Sequence, residues 1–281
     1  MRRIRKTTGV PVLKLPPDHL LDVLSALRDH EFDRDGFKDS VLAIFPDKDE
    51  KSVFRGMAIP SLRTLGLLIG FEQETHLSGD GALVAESGVA NNFRMNEPMR
   101  QLLREIELER SLHGVWANDE LTIEDIRGGY ANIEGVEQGS NPKGDFLGRI
   151  NRWLHYLEYF GILSRTGERL HRTVPTMTRF PNYTESEIKA FVKAFQSSCH
   201  HLLRGEVGEP VITIEDIRRQ VAVQFWKDRH AIVLRRDFDR LLATCLESGI
   251  LDAHLHRSMG ADEGLFLFKG TSYQSVSIKE T

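Results

Sequence analysis

Cysteine is nearly absent. Cys199 and Cys245 are the only two in 281 residues, too few for the disulfide framework that holds small secreted domains together. A reducing cytoplasm is therefore the expected setting. No apolar run approaches the ~20 residues that a membrane-crossing helix needs. The basic start, Met1 to Pro17, is not followed by the apolar core of a signal peptide. Neither sign of charge is in marked excess, with a net charge of −4 and a pI near 6.3. Only local patches can then point to a polyanionic partner.

The usual marks of catalysis are missing too. There is no G-x-S-x-G elbow, no phosphate-loop lysine, and no G-x-G-x-x-G behind an expected strand. Cys199-His200-His201 and His254-x-His256 carry ligand atoms, but no second pair at zinc-finger spacing completes a tetrahedral set. Neighbouring residues on one helix point in different directions, so Cys199 and the two histidines do not form a triad either. The expectation is a protein that is not an enzyme and holds no metal or cofactor.

The most informative stretch is Asn141 to Thr173. Phe146, Ile150, Trp153, Leu154, Leu157 and Phe160 recur at spacings of three and four and predict one buried helical face. Gly161 is placed to end that helix in the left-handed region. Ile162-Leu163 then predicts a short strand, Arg165 to Arg169 a tight basic turn, and Leu170 a return inward. Between Ser140 and Pro181 there are seven lysines and arginines against three acids. Arg149, Arg152 and Tyr156 are assigned to the helix face opposite the apolar one, with Lys143 ahead of it.

The same pattern recurs along the chain. Thr-Ile-Glu-Asp-Ile-Arg occurs at Thr122 and again at Thr213, each time with threonine as the expected helix cap. Gly161-Ile162-Leu163 is echoed by Gly249-Ile250-Leu251 and more loosely by Gly66-Leu67-Leu68. Self-similarity of this kind marks repeated units. Three helical modules of about 90 residues, each closed by a β-wing, fit the usual domain size. Their expected bounds are 1–95 with a basic N-terminal arm, 96–180, and 181–281 with a frayed tail from Gly270. The fold class expected is mainly α with short β-wings, as three tandem winged helix-turn-helix modules.

At this point the chain resembles tandem winged-helix proteins. Phe54 to Ser87, FRGMAIPSLRTLGLLIGFEQETHLSGDGALVAES, is similar to the helix, strand, wing and closing-helix pattern of bacterial winged-helix DNA readers. It is similar in style to the recognition domains of type IIS restriction endonucleases, but no Asp…Glu-x-Lys nuclease core accompanies it. The other relatives are the kite subunits of chromosome-condensing complexes, which mainly bind protein. The resemblance implies double-stranded DNA as partner, read by a regulator or by the recognition subunit of a defence or mobile-element system. Its alternative is a scaffold that binds protein subunits of a larger complex.

A helix of this class lies in the major groove, where arginine pairs with guanine or phosphate. In the middle module the candidates are Lys143, Arg149, Arg152 and Tyr156 on the helix, with Arg165, Arg169 and Arg172 on the wing. In the first they are Lys51, Arg55 and Arg63. In the third they are Arg235, Arg236 and Arg240, with His254, His256 and Arg257 on the wing. The plainer reading of any single one is a solvated helix face. Glu105, Glu107, Glu109, Asp119, Glu120, Glu124 and Asp125 make the first half of the middle module acidic, and are expected to face away from DNA or toward a basic partner.

Overall fold

Side-chain caps set where several of the helices begin. In the computed structural model, which describes residues 9–70, 74–88, 94–116, 118, 120–135, 145–177, 179, 182–203, 211–257 and 264–278, Asn96 accepts the Met99 N–H at 2.8 Å. Thr122 accepts from Asp125, Thr184 from Glu187 and Thr213 from Asp216. Each satisfies an amide that the first helical turn leaves without a partner. The fold is mainly helical with small sheets. No helix among the described residues is long and apolar enough to cross a membrane.

The chain forms two compact units. The first comprises Met1–His30, Asp35–Leu65 and Gly88–Phe180; the second Glu31–Arg34, Gly66–Ser87 and Pro181–Thr281. The expected module 1–95 is thus divided. Its helices α1 (Leu20–Asp29), α2 (Arg34–Ile44) and α3 (Ile59–Thr64) belong almost wholly to the first unit. Its strands β1 (Leu68–Ile69) and β2 (His76–Leu77) and helix α4 (Gly79–Ser87) belong to the second. The reason lies in α4. Every residue from Gly79 to Ala85 is buried, and a helix buried on all sides needs more cover than a hairpin of two-residue strands gives. It packs on a later helix of the second unit.

In the first unit Pro60 has no N–H to give the carbonyl four residues back. The chain ahead of it widens into a π-helix, Lys51–Ala58, with the Ile59 N–H bonded to the Phe54 carbonyl. Ser61 accepts the amides of Lys14 and Leu15, both at 2.9 Å. This ties down an extended segment whose Pro11, Leu13 and Leu15 alternate inward. Then come α5 (Glu97–Glu109), a 3-10 turn (Leu112–Trp116), β3 (Glu120–Thr122), α6 (Ile123–Glu134), α7 (Phe146–Tyr159), β4 (Leu163–Thr166) and β5 (Arg169–Arg172). The strands form an antiparallel sheet in the order β3-β5-β4. Gly161, at φ +61°, ends α7 as expected. Ile126, Tyr130, Ile150, Trp153, Leu157 and Leu170 are fully buried, with the Trp153 indole donating to the Tyr130 hydroxyl at 3.0 Å.

The second unit continues with α8 (Glu185–Leu202), β6 (Ile212–Thr213), α9 (Ile214–Arg229), α10 (Arg235–Glu247), β7 (Ala253–Arg257), β8 (Phe266–Phe268) and β9 (Thr271–Ile278). Its sheet runs β6-β9-β7, with β8 also on β9. The tail expected to fray is therefore the central strand. Ser, Thr and Gln mask it in the sequence, but Val276 is fully buried and its amides find partners on three strands. Residues 97–172 and 185–278 thus share one order of helix, strand, helix, helix, strand, strand, apart from the added β8. In both, the first strand pairs with the last. Of the expected N-terminal arm, Met1 to Pro17, residues 1–8 lie outside the described residues, while 9–17 are mostly buried rather than free to reach along DNA.

Where α4, α9 and α10 meet, Asp80 is buried and accepts the Arg235 N–H at 2.6 Å. Burial pushes its carboxyl up to about 7. A carboxyl raised by folding stabilises the native state fully below its unfolded value, near 3.9, and loses that contribution as pH rises through about 7. Asp80→Asn, which keeps the acceptor, is expected to unfold at a higher temperature than the parent at pH 8. At pH 4 the two should coincide. Parallel melting curves across this range would contradict the assignment.

Candidate nucleic-acid interface

The third helix of the 97–172 segment, α7, turns a neutral stripe to solvent. Leu147, Asn151 and His155, four residues apart, are exposed, Leu147 by 46%. Arg152 lies beside this stripe and Arg149 on the far side of the helix from it, both half-buried. The Arg149 guanidinium sits 5.6 Å from the Phe146 ring centre, and Arg152 pairs with Asp145. The hydrogen bond from Arg152 holds the Asp145 carboxyl below its usual range.

Tyr156 is not on the open face. It is 1% exposed, and its hydroxyl donates to the Leu15 carbonyl at 2.7 Å. The correction has a simple cause. The extended N-terminal segment covers a second side of α7, so the helix buries a wider arc than its apolar residues alone define.

The β4–β5 hairpin turns at Gly167, φ +63°, and its arginines differ sharply. Arg165 reaches Glu158 at 2.5 Å, and Arg169 reaches Glu120 at 2.6 Å. Both arginines stay exposed. Arg172 does not belong to any outer surface. Its side chain is 1% exposed and pairs with the 2%-exposed Glu107 at 2.8 Å, with its guanidinium 5.3 Å from the Trp116 ring centre. Burial pushes the Glu107 carboxyl up, and Arg172 opposes that shift. Both residues are thus internal, so Glu107 also leaves the expected acidic surface. Lys143 lies outside the described residues.

The other segments contribute less. Lys51 and Arg55 are exposed on the π-helix and Arg63 is half-buried; Arg55 lies 3.8 Å from Glu50. On α10 the Arg235 side chain donates to the Leu265 carbonyl at 3.0 Å. Arg236 is half-buried, and Arg240 lies over the Tyr183 ring at 5.1 Å. His254, His256 and Arg257 are exposed on β7, with His256 at 3.0 Å from the Ser277 hydroxyl. The amide that opens α10 already has an acceptor, the buried Asp80 carboxyl. Cys199 and Cys245 are buried, and burial pushes the Cys199 thiol up to about 12. Among the described residues no group of three or more His, Cys, Asp or Glu is placed to hold a metal.

Charge counting along the sequence missed Leu147, Asn151 and His155. Their spacing of four from the helix start was the available signal. Comparison with protein families, with curated proteins and with solved structures finds no match.

Arg172→Ala is expected to lower the stability of the first unit by ~3–5 kcal/mol, because it strands a buried carboxylate. Arg169→Ala, which opens an exposed pair, should shift it by less than ~1 kcal/mol. Urea unfolding followed by tryptophan fluorescence separates them. Equal midpoints would refute the internal role of Arg172.

Proposed function

We propose that the chain is a tandem winged-helix protein whose middle module docks on double-stranded DNA through α7 and the β4–β5 hairpin. It would act without catalysis, as a regulator or as the recognition subunit of a larger system. The observation that carries this reading is the exposed stripe Leu147–Asn151–His155 on the third helix of a helix-strand-helix-helix-strand-strand segment. In a groove, an asparagine has the donor and acceptor that adenine requires, and an apolar side chain suits the thymine methyl. Arg152 lies beside the stripe, and Arg165 and Arg169 extend from the hairpin. The acid partners of Arg152 and Arg169, Asp145 and Glu120, are exposed and hold them weakly, so phosphate can compete.

A second reading, a scaffold that binds protein in the manner of kite subunits, is favoured by one observation in the third segment. A helix N-terminus is a ready anion site, but that of α10 is filled by Asp80 from the same chain. That segment is then better suited to protein contact than to DNA.

Fluorescence anisotropy with a mixed-sequence duplex across a salt series tests the first reading. Affinity should fall with a log–log slope of several units, and charge reversal of Arg149, Arg152, Arg165 and Arg169 should remove about 0.9 from the slope per lost phosphate contact. Asn151→Ala should weaken an A·T-containing preferred site with little effect on the slope. Absence of binding at low salt, or an unchanged slope in the charge-reversal variant, moves the assignment to the protein scaffold.

A further inference from the structure

The core of the second unit is built without α4. Phe191 and Phe195 of α8, Ile217 and Val221 of α9, Phe238 and Leu241 of α10 and Val276 of β9 belong to one apolar cluster. None of the described residues of 66–87 contributes to it. β1 and β2 are two residues each, too short to be stable as an isolated pair. α4 opens on Gly79 and has Gly81 in the same turn, and glycine is a poor helix former. This part of the chain is therefore held by what it docks on rather than by its own propensity.

The docking is polar at its head. Glu215 of α9 accepts the Gly79 N–H at 2.7 Å, and Asp80 accepts the Arg235 N–H at the start of α10 at 2.6 Å. Glu31 accepts the Leu77 N–H at 3.1 Å and pairs with Arg219 of α9 at 2.6 Å. At the far end of α4, Glu86 pairs with Lys227 at 2.9 Å.

Charge at this head does not balance. Three carboxyls, Asp80, Glu215 and Asp239, lie around one buried guanidinium, that of Arg218, which pairs with Glu215 at 2.8 Å and with Asp239 at 2.6 Å. Arg235 is exposed, and its side chain turns to the Leu265 carbonyl. The buried cation is thus already shared by two acids, and a third ionised carboxyl would go uncompensated. A buried group in that position takes up a proton instead. Asp80, bonded to an amide rather than to a guanidinium, is the one placed to hold it, and burial pushes its carboxyl up to about 7.

We propose that α4 and the β1–β2 pair form a proton-held latch, which undocks from α9 and α10 as a unit when Asp80 ionises, while the core of residues 183–278 stays folded. Undocking uncovers the side of α9 beneath α4 and the first turn of α10. The undocked carboxyl lies in water and titrates at about 3.9. The docked form is therefore fully stabilised below that pH. Its advantage is lost as pH rises through about 7 and changes no further above it. The latch rests on no part of the DNA reading.

Hydrogen exchange of the full-length chain, read by mass spectrometry at pH 5, 6, 7 and 8 with labelling times scaled to the intrinsic amide rate, tests this. Protection of residues 79–87 should fall by about tenfold per pH unit from 5 toward 7 and then level off. Peptides from α8 should keep their protection throughout. Asp80→Asn, a neutral isostere that keeps the acceptor, should leave 79–87 equally protected at every pH. Protection of 79–87 that does not vary with pH in the parent overturns the proposal, whether or not the variant folds. A loss shared by α8 overturns it too, since the whole unit would then be unfolding. So does an unaltered pH dependence in Asp80→Asn, which would put the proton on another group.

Discussion

In the C-terminal unit a buried guanidinium joins elements that are far apart in the sequence. Arg218 donates to Glu215, to Asp239 and to the carbonyls of Gly264 and Leu265. Its side chain is 1% exposed. Removing a charge from water costs several kcal/mol, and such a site persists only when its donors find good partners. Here one cation connects α9 to α10 and to the chain entering β8. Glu215 passes the constraint on by accepting the Gly79 N–H at 2.7 Å. The start of α4 is thereby fixed, and a side chain at Gly79 would lie 3.2 Å from the Arg218 Cβ. Asp80, one residue on, then reaches the start of α10.

The same six-residue word opens α6, with a different outcome. Thr122 caps the helix as Thr213 caps α9, and Glu124 pairs with Arg127 at 2.6 Å, three residues along, as Glu215 pairs with Arg218. Yet the Glu124 side chain is 80% exposed. The cap and the ion pair are local consequences of the word, since residues three apart meet on a helix. Burial is not local: in the C-terminal unit α4 supplies the cover. One motif can therefore act as a solvated helix start in one segment and as the organising contact of the other.

That difference marks how far the sequence could be read. Helices with a capping threonine, a regular apolar stripe and a terminal glycine were legible, because each signal acts within a few residues. Gly161 and Gly249 both adopt positive φ where the repeat placed them. What depends on distant partners was hidden. Tyr156 has the spacing of a flanking residue but is buried, with its hydroxyl on the Leu15 carbonyl. Arg172 reads as one more wing cation and is neutralised by Glu107, 65 positions earlier. The strand at Thr271–Ile278 lacks a strong apolar alternation, because three neighbouring strands rather than a packed face supply much of its pairing.

Many of the exposed arginines among the described residues are in contact with acids or aromatic rings, and this bears on what they can do. An exposed pair such as Arg169–Glu120 contributes about 0–1 kcal/mol, so exchanging the carboxylate for a phosphate loses little and gains the release of counterions from the duplex. The Arg172–Glu107 pair cannot make that exchange, since leaving would strand a charge in the core. The start of α10 cannot make it either without expelling Asp80 from a buried position between helices. Competition for a polyanion is thus settled by burial rather than by the number of positive charges. On the DNA reading proposed above, it favours the hairpin of the middle segment and disfavours the start of α10.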